Sequence, residues 1–190
     1  MSHGFTRGKA DQTLFIKRED GELLVAQVYV DDIIFGSTKD ELAHGFSKLM
    51  QAEFEMSMIG EQTHFLGLQI CQQDSGIFLS QSKYAKNLVK KFGLEFANSI
   101  RTPMSPNIKL TVDLLCKSVD PSLYRSMIDS LLYLTASRPD ISYSVKVCAR
   151  YQVNPKESHM ITLKRVIKYV KTTADFGVWY NKDTNLSWVF

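Results

Sequence analysis

An α+β fold is predicted by three features of the sequence. Early in the chain, runs of β-branched and aromatic residues are separated by turn residues, the pattern of successive antiparallel strands. From residue 38 the apolar residues switch to a three-and-four spacing, which is helical. After residue 120 that helical spacing dominates, with prolines placed to open helices rather than to interrupt them.

Taken in order, "TLFIKREDGELLVAQVYVDDIIFGST" (13–38) reads as successive strands, with "REDGE" (18–22) as one turn and Val30-Asp31-Asp32 as a second. From Thr38 to about Met56, Leu42, Phe46, Leu49 and Met50 form one helical face, and Thr38-Lys39-Asp40-Glu41 fits a capping box at its start. "HFLGLQICQQDSGIFLSQ" (64–81) returns to strand character, turning at Asp74-Ser75-Gly76. A helix from about Ser82 carries Tyr84, Leu88 and Phe92 on one stripe, and Gly93 is well placed to end it.

The stretch "SIRTPMSPNIKLTVDLLCKSVDP" (99–121) holds three of the five prolines and no sustained period, so it is predicted as a linker and domain boundary. "PSLYRSMIDSLLYLTAS" and "RPDISYSVKVCARYQ" follow as helices opened by Pro121 and Pro139. "PKESHMITLKRVIKYVKTT" then places Leu163, Val166, Ile167 and Val170 on one face. The end, "GVWYNKDTNLSWVF", reads as strand, turn and a second strand. Its apolar finish at Trp188, Val189 and Phe190 implies a chain that stops inside a domain. The predicted organisation is therefore 1–60, 61–100, a linker over 101–120, a helical segment over 121–176 and a last strand region over 177–190.

At 190 residues the chain has room for one core or two small subdomains, and 44% apolar with 23% charged residues is a soluble globular composition. No apolar run approaches the length of a membrane span, and "MSHGFTRGKA" lacks the layout of a signal peptide. The reading is an intracellular, soluble protein of the cytoplasm or nucleus, or an organelle-encoded copy, with no membrane partner. Cys71, Cys116 and Cys148 are odd in number and form no CxxC pair. His3, His44, His64 and His159 lack metal-site spacing. Those thiols are expected to be buried or incidental, and His64 and His159 to be packed or hydrogen-bonded. A net charge of +3 permits a polyanionic partner without demanding one.

Asp31 and Asp32 put two like charges side by side where a tight turn is expected. Such a pair is either a wet hairpin tip or a site for a cation, and Mg²⁺ is the hard ion that carboxylates plus water and phosphate oxygens hold. A second candidate surface is basic. Lys83, Lys86 and Lys90 line one side of the helix from Ser82, and Lys164, Lys168 and Lys171 with Arg165 do the same on the later helix. Such faces are either solvated surfaces or tracks for a phosphate backbone.

Tyr29-Val30-Asp31-Asp32, bracketed by apolar strands and followed by "IIFGST", resembles the YxDD hairpin of reverse transcriptases. With "GFTRGKADQTLFIK", "FEMSMIGE", "HFLGLQI", "GIFLSQSKYAKNLVKKFG", "TPMSP", "YRSMIDSLLYLTASRPDISYSV", "PKESHMITLKRVIKYVK" and "GVWY", in that order, the chain resembles copia-type (pseudoviral) retrotransposon reverse transcriptases, particularly plant members.

The resemblance implies part of a polymerase palm whose hairpin carries YVDD, then a thumb, a largely helical connection segment and the start of an RNase H domain. It implies Asp31 and Asp32 as catalytic, metal-binding aspartates of a two-metal Mg²⁺ (or Mn²⁺) site, with Tyr29 and Val30 contacting primer–template or nucleotide. "HFLGLQI" takes the place of a primer-grip hairpin, and Lys83, Lys86 and Lys90 become backbone contacts. The partners implied are an RNA/DNA primer–template and remaining segments of a Pol polyprotein.

The family's third metal-binding Asp lies far upstream of YxDD, and neither Asp11 nor Asp20 replaces it. The acidic residues of RNase H would fall after Phe190. The chain is thus expected to be a fragment without polymerase activity of its own; the alternatives are a non-catalytic nucleic-acid-binding module, or an enzyme completed in trans. Two departures from the family agree with that expectation. Leu114-Leu115-Cys116 replaces an acidic, Gly-containing turn, and Asp129 stands where a Gly would allow a close helix contact, a costly place for an unpaired carboxylate.

Overall fold

Two-residue turns set the register of the first sheet. Strands β1 (Thr6–Arg7), β2 (Leu14–Glu19), β3 (Glu22–Tyr29) and β4 (Asp32–Ser37) pair antiparallel in the order β1-β2-β3-β4. Glu19 pairs with Glu22, leaving Asp20-Gly21 as a tip with φ of 50° and 82°, the left-handed pair whose twist suits flanking strands. The computed structural model describes residues 2–105 and 110–182, and the chain divides into two compact units, 1–60 and from 61 onward.

In the first unit, Phe15, Ala26 and Phe35 form one cross-strand row on the sheet face that packs with helix α1 (Asp40–Glu53). Phe46 of α1 sits edge-on to Phe35, with ring centroids 4.9 Å apart. Only Leu24, Ala26 and Phe46 are fully buried apolar residues among those described here, so this unit has a thin core. The expected capping box does not form. Thr38 accepts the Leu23 N–H at 2.9 Å and bonds Glu22, so its side chain extends the β3–β4 pairing. Helix α1 starts instead at Asp40 without a side-chain cap, with Asp40 and Glu41 set against its positive end.

The second unit pairs β5 (His64–Phe65), β6 (Leu68–Gln73), β7 (Gly76–Ser80) and β8 (Gly177–Asn181) in that order. Around it lie α2 (Ser82–Lys91), α3 (Pro121–Leu134), α4 (Pro139–Ala149) and α5 (Glu157–Thr172). Gly93 ends α2 as expected. Its φ is 65°, its N–H bonds the Lys90 carbonyl, and the Leu94 N–H reaches back to Val89, both at 3.0 Å. Pro121 opens α3 behind Asp120, whose carboxylate accepts the Ser122 N–H at 2.8 Å. The expected face of α5 is the core: Leu163, Val166, Ile167 and Val170 are fully buried against Ile128 and Leu131 of α3 and Ile141 and Val145 of α4. Each such side chain contributes about 1.5–3 kcal/mol.

Two further expectations need correction. The stretch 101–120 is no boundary, because its described parts are tied to the helices. Tyr151 and His159 hydrogen-bond the Leu110 and Thr111 carbonyls at 2.8 and 2.7 Å, and Arg165 reaches Thr102 at 2.8 Å. Lack of periodicity reported the absence of a helix, not the absence of packing. Asp129 is exposed on α3, so no buried carboxylate arises there. Gly177–Asn181 pairs along the whole of β7 as the last described strand of the second sheet. Trp188, Val189 and Phe190 lie outside the described residues.

His159 is buried: Nδ1 accepts the Lys156 N–H at 3.0 Å and the ring stacks on Tyr151. Burial pushes the Cys148 thiol up to about 12, which leaves it an inert core group. No helix among the described residues is long and apolar enough to cross a membrane.

Candidate functional site

The β3–β4 register decides how the acidic tip is built. Tyr29 pairs with Asp32, so the loop is only Val30-Asp31. Asp32 therefore opens β4 and shares a sheet face with Tyr29, while Asp31 sits in the tip itself. Both carboxylates are exposed. Val30 has a φ of 51°, left-handed backbone that a β-branched residue adopts only under strain. Its side chain is 81% exposed, so that strain is not compensated by burial.

Beneath the tip, between the sheet and α1, an apolar cavity of about 760 Å³ is lined by Phe15, Val28, Ile33, Phe46 and Met50 and bordered by Val30 and Asp31. The oxygen donors at this tip suit Mg²⁺ or Mn²⁺ in kind. In number they do not form a full set: among the described residues no three His, Cys, Asp or Glu gather as a metal site. Asp11 is occupied elsewhere, accepting bonds from the N–H and hydroxyl of Thr13 and from Gln27. Those bonds hold its carboxyl below the ordinary range.

The basic candidates separate in the same way. Lys83, Lys86 and Lys90 are all exposed on α2, opposite buried Ala85, Leu88 and Val89. Lys86, however, is not a free cation, since its ammonium bonds Asp175 at 2.7 Å. The Lys86 contact, with a second from the Ser82 hydroxyl, holds the Asp175 carboxyl below its usual value. On α5, Lys171 bonds the Ala97 carbonyl at 2.8 Å and Arg165 bonds Thr102, so those two side chains fasten the chain after α2. Lys164 stays exposed.

Residues 1–106, which include both aspartates and the β5–β6 and β6–β7 hairpins, match the family described as reverse transcriptase (RNA-dependent DNA polymerase). The chain belongs to the reverse transcriptase family. Its relatives place it in the copia-type group. It is 32% identical over 187 residues to the retrovirus-related Pol polyprotein from transposon RE1 of Arabidopsis thaliana, covering 98% of this chain and 13% of that one. It is 34% identical over 188 residues to the corresponding polyprotein from transposon RE2 of the same plant, with the same coverage of 98% and 13%. An uncharacterised mitochondrial protein of Arabidopsis thaliana is 35% identical over 160 residues, covering 84% of this chain and 66% of that protein. The chain thus spans about an eighth of the length of the Pol polyproteins it matches. No solved structure matches it.

Sequence reasoning missed two arrangements in this chain. Arg138 is 1% exposed, forks onto Asp140 at 2.9 and 2.8 Å, and bonds the carbonyl and hydroxyl of Thr173 at the end of α5, both at 2.7 Å. The other is how the hairpin implied at HFLGLQI is turned and held: its tip is Leu66-Gly67 between β5 and β6, and the Leu66 carbonyl accepts the Tyr133 hydroxyl at 2.6 Å. A glycine between two apolar runs, "FLGL", was the available signal for that turn.

Proposed function

We propose that this chain supplies the YVDD hairpin of an RNA-directed DNA polymerase, with Asp31 and Asp32 as two of its metal-binding carboxylates, and that it does not polymerise alone. One observation carries the reading: a family member presents paired, exposed aspartates at a strained hairpin end, Asp31 within the two-residue tip and Asp32 opening the next strand, and no third ligand joins them among the described residues. Mg²⁺ or Mn²⁺, when bound, would supply Lewis-acid polarisation of the attacking hydroxyl and the leaving oxygen.

The chain's own residues do the positioning. The Tyr29–Asp32 pair fixes where one carboxylate leaves the sheet, and Val30 holds Asp31 forward at the tip. Tyr29 and Val30 are the side chains best placed to meet the primer–template or nucleotide beside those carboxylates. In this reading residues 1–60 are palm, the β5–β6 hairpin is a primer grip, α2 belongs to a thumb with Lys83 and Lys90 on the nucleic-acid backbone, and the later helices are the connection.

The test is primer extension on an RNA template with Mg²⁺ or Mn²⁺, using the chain alone and the chain with the remaining Pol segments supplied in trans. Extension is expected only from the completed mixture and is lost in Asp31→Asn. Extension by the chain alone refutes its dependence on other segments; activity that survives Asp31→Asn refutes the carboxylate assignment. A non-catalytic nucleic-acid-binding module is the second reading, favoured by the exposed Lys83 and Lys90 on α2.

A further inference from the structure

The stretch 111–119 crosses the start of α5 and is fastened to it on both sides of a tight turn. Before the turn, the His159 ring donates to the Thr111 carbonyl at 2.7 Å. After it, the Glu157 N–H donates to the Lys117 carbonyl at 2.9 Å, and the Lys156 ammonium donates to the Ser118 hydroxyl at 2.9 Å. Asp113 takes the left-handed φ of 48° that lets the chain turn, and the Cys116 N–H returns to its carbonyl. What this anchored turn presents to water is apolar: Leu114 is 80% exposed and Leu115 100%.

Single exposed leucines are ordinary on a protein surface. This pair differs because the same stretch also builds a hollow of matching character. Val119, Met160 and Ile161 line a cavity of about 320 Å³ at the start of α5, rimmed by Lys117, Glu157 and Lys164. Four residues separate Leu115 from Val119, a reach of at most about 14 Å, so knob and hollow share one face of the second unit. Neither leucine enters its own hollow, as their exposure shows. The charges match as well. Asp113 and Lys117 flank the leucines in the chain, while Lys164 and Glu157 stand at the rim, so each charge beside the knob has its opposite at the hollow. The Asp113 carboxyl stays anionic, because the Ser158 hydroxyl and the Cys116 thiol beside it hold it below its usual value.

We propose that this face pairs with the same face of a second copy of the chain, the Leu114-Leu115 knob of each copy entering the hollow of the other between Val119, Met160 and Ile161. A two-fold axis midway between a knob and a hollow on one surface carries each knob into the other copy's hollow, which closes the pair. Little ordering remains to be done on contact, since the turn is already held within each copy. The polymerase reading is not needed here, because Asp31 and Asp32 belong to the other unit.

Sedimentation velocity of the full chain from about 5 to 500 μM, the span in which a small interface associates, is expected to show monomer passing to dimer and no further. Leu114→Ser with Leu115→Ser removes the knob, and Ile161→Glu puts a carboxylate in the hollow. All three side chains are exposed, so both variants are expected to keep the wild-type thermal midpoint. Each variant weakens the dimer about a hundredfold, about tenfold for each of two lost contacts. Mixed in equal amounts, the two variants recover about tenfold of that loss, because one intact knob then meets one intact hollow. A chain that stays monomeric throughout overturns the proposal and leaves this face to a different partner. A dimer that both variants keep also overturns it, by placing the contact elsewhere. So does a mixture no more associated than its components, or growth past the dimer, which is incompatible with closed two-fold pairing.

Discussion

Val30→Gly should stabilise the first unit, although it shortens a side chain at the candidate site. Val30 lies at φ 51° and is 81% exposed, so its side chain returns almost no burial for the backbone strain it carries. A residue held in a sparsely populated region costs about 1–3 kcal/mol, and glycine removes that cost. Against it stands the entropy that glycine adds to the unfolded chain, about 0.5–1 kcal/mol. At the middle of both ranges the net gain is about 1.3 kcal/mol, which corresponds to a rise in protection of about eightfold. Both tryptophans lie outside this unit, so the measurement is amide exchange of the paired β3 and β4 residues, Val25 to Val28 and Ile33 to Phe35. Val30→Ala, which keeps a Cβ but loses the branching, should fall between the two. Protection in Val30→Gly equal to or below the wild type would refute the strain argument and, with it, the idea that the tip trades stability for the placement of Asp31.

Three further outcomes follow from the second unit and its surface. Arg138→Leu should cost about 2–4 kcal/mol in urea unfolding followed by Trp179 fluorescence, below the full cost for a buried pair because Asp140 keeps 35% of its side chain exposed. Burial raises the Asp140 carboxyl, but bonds from Arg138 and Tyr169 outweigh it and hold the group below 3.8. A depressed folded value means that its stabilisation is present above pH 3.8 and drains away as pH falls through the lower folded value. Asp140→Asn should therefore flatten the acid limb of a Tm–pH curve, and an unchanged limb would count against the Arg138 clamp. On nucleic acid, Lys83→Ala with Lys90→Ala should reduce the slope of log affinity against log salt by up to about 1.8, whereas Lys86→Ala, whose ammonium is already paired with Asp175, should change it less.

Much of this architecture was legible because local chemistry and tertiary packing agreed. The three-and-four spacing of Leu163, Val166, Ile167 and Val170 named the buried face of α5, and Gly93 ended α2 because only a left-handed residue satisfies the last carbonyls there. Thr38 misled for the opposite reason. A capping motif competes with strand pairing for the same hydroxyl, and the bond to Leu23, fifteen residues away, prevailed. The stretch 101–120 misled because an aperiodic segment can still be held by side chains from distant helices, here Tyr151, His159 and Arg165.

By itself, the sequence determined the α+β class, the helices, the adjacency of Asp31 and Asp32 and the membership of the copia-type reverse transcriptases, since each is written in near neighbours or in the order of short motifs. Tertiary structure alone decided which charges are free and which tips are rigid. Lys86 is paired with Asp175 from eighty-nine residues away, and the Leu66 turn is held by Tyr133 from sixty-seven. A one-dimensional pattern records which groups a residue carries. Whether another group has already claimed them depends on which distant segments the core brings alongside.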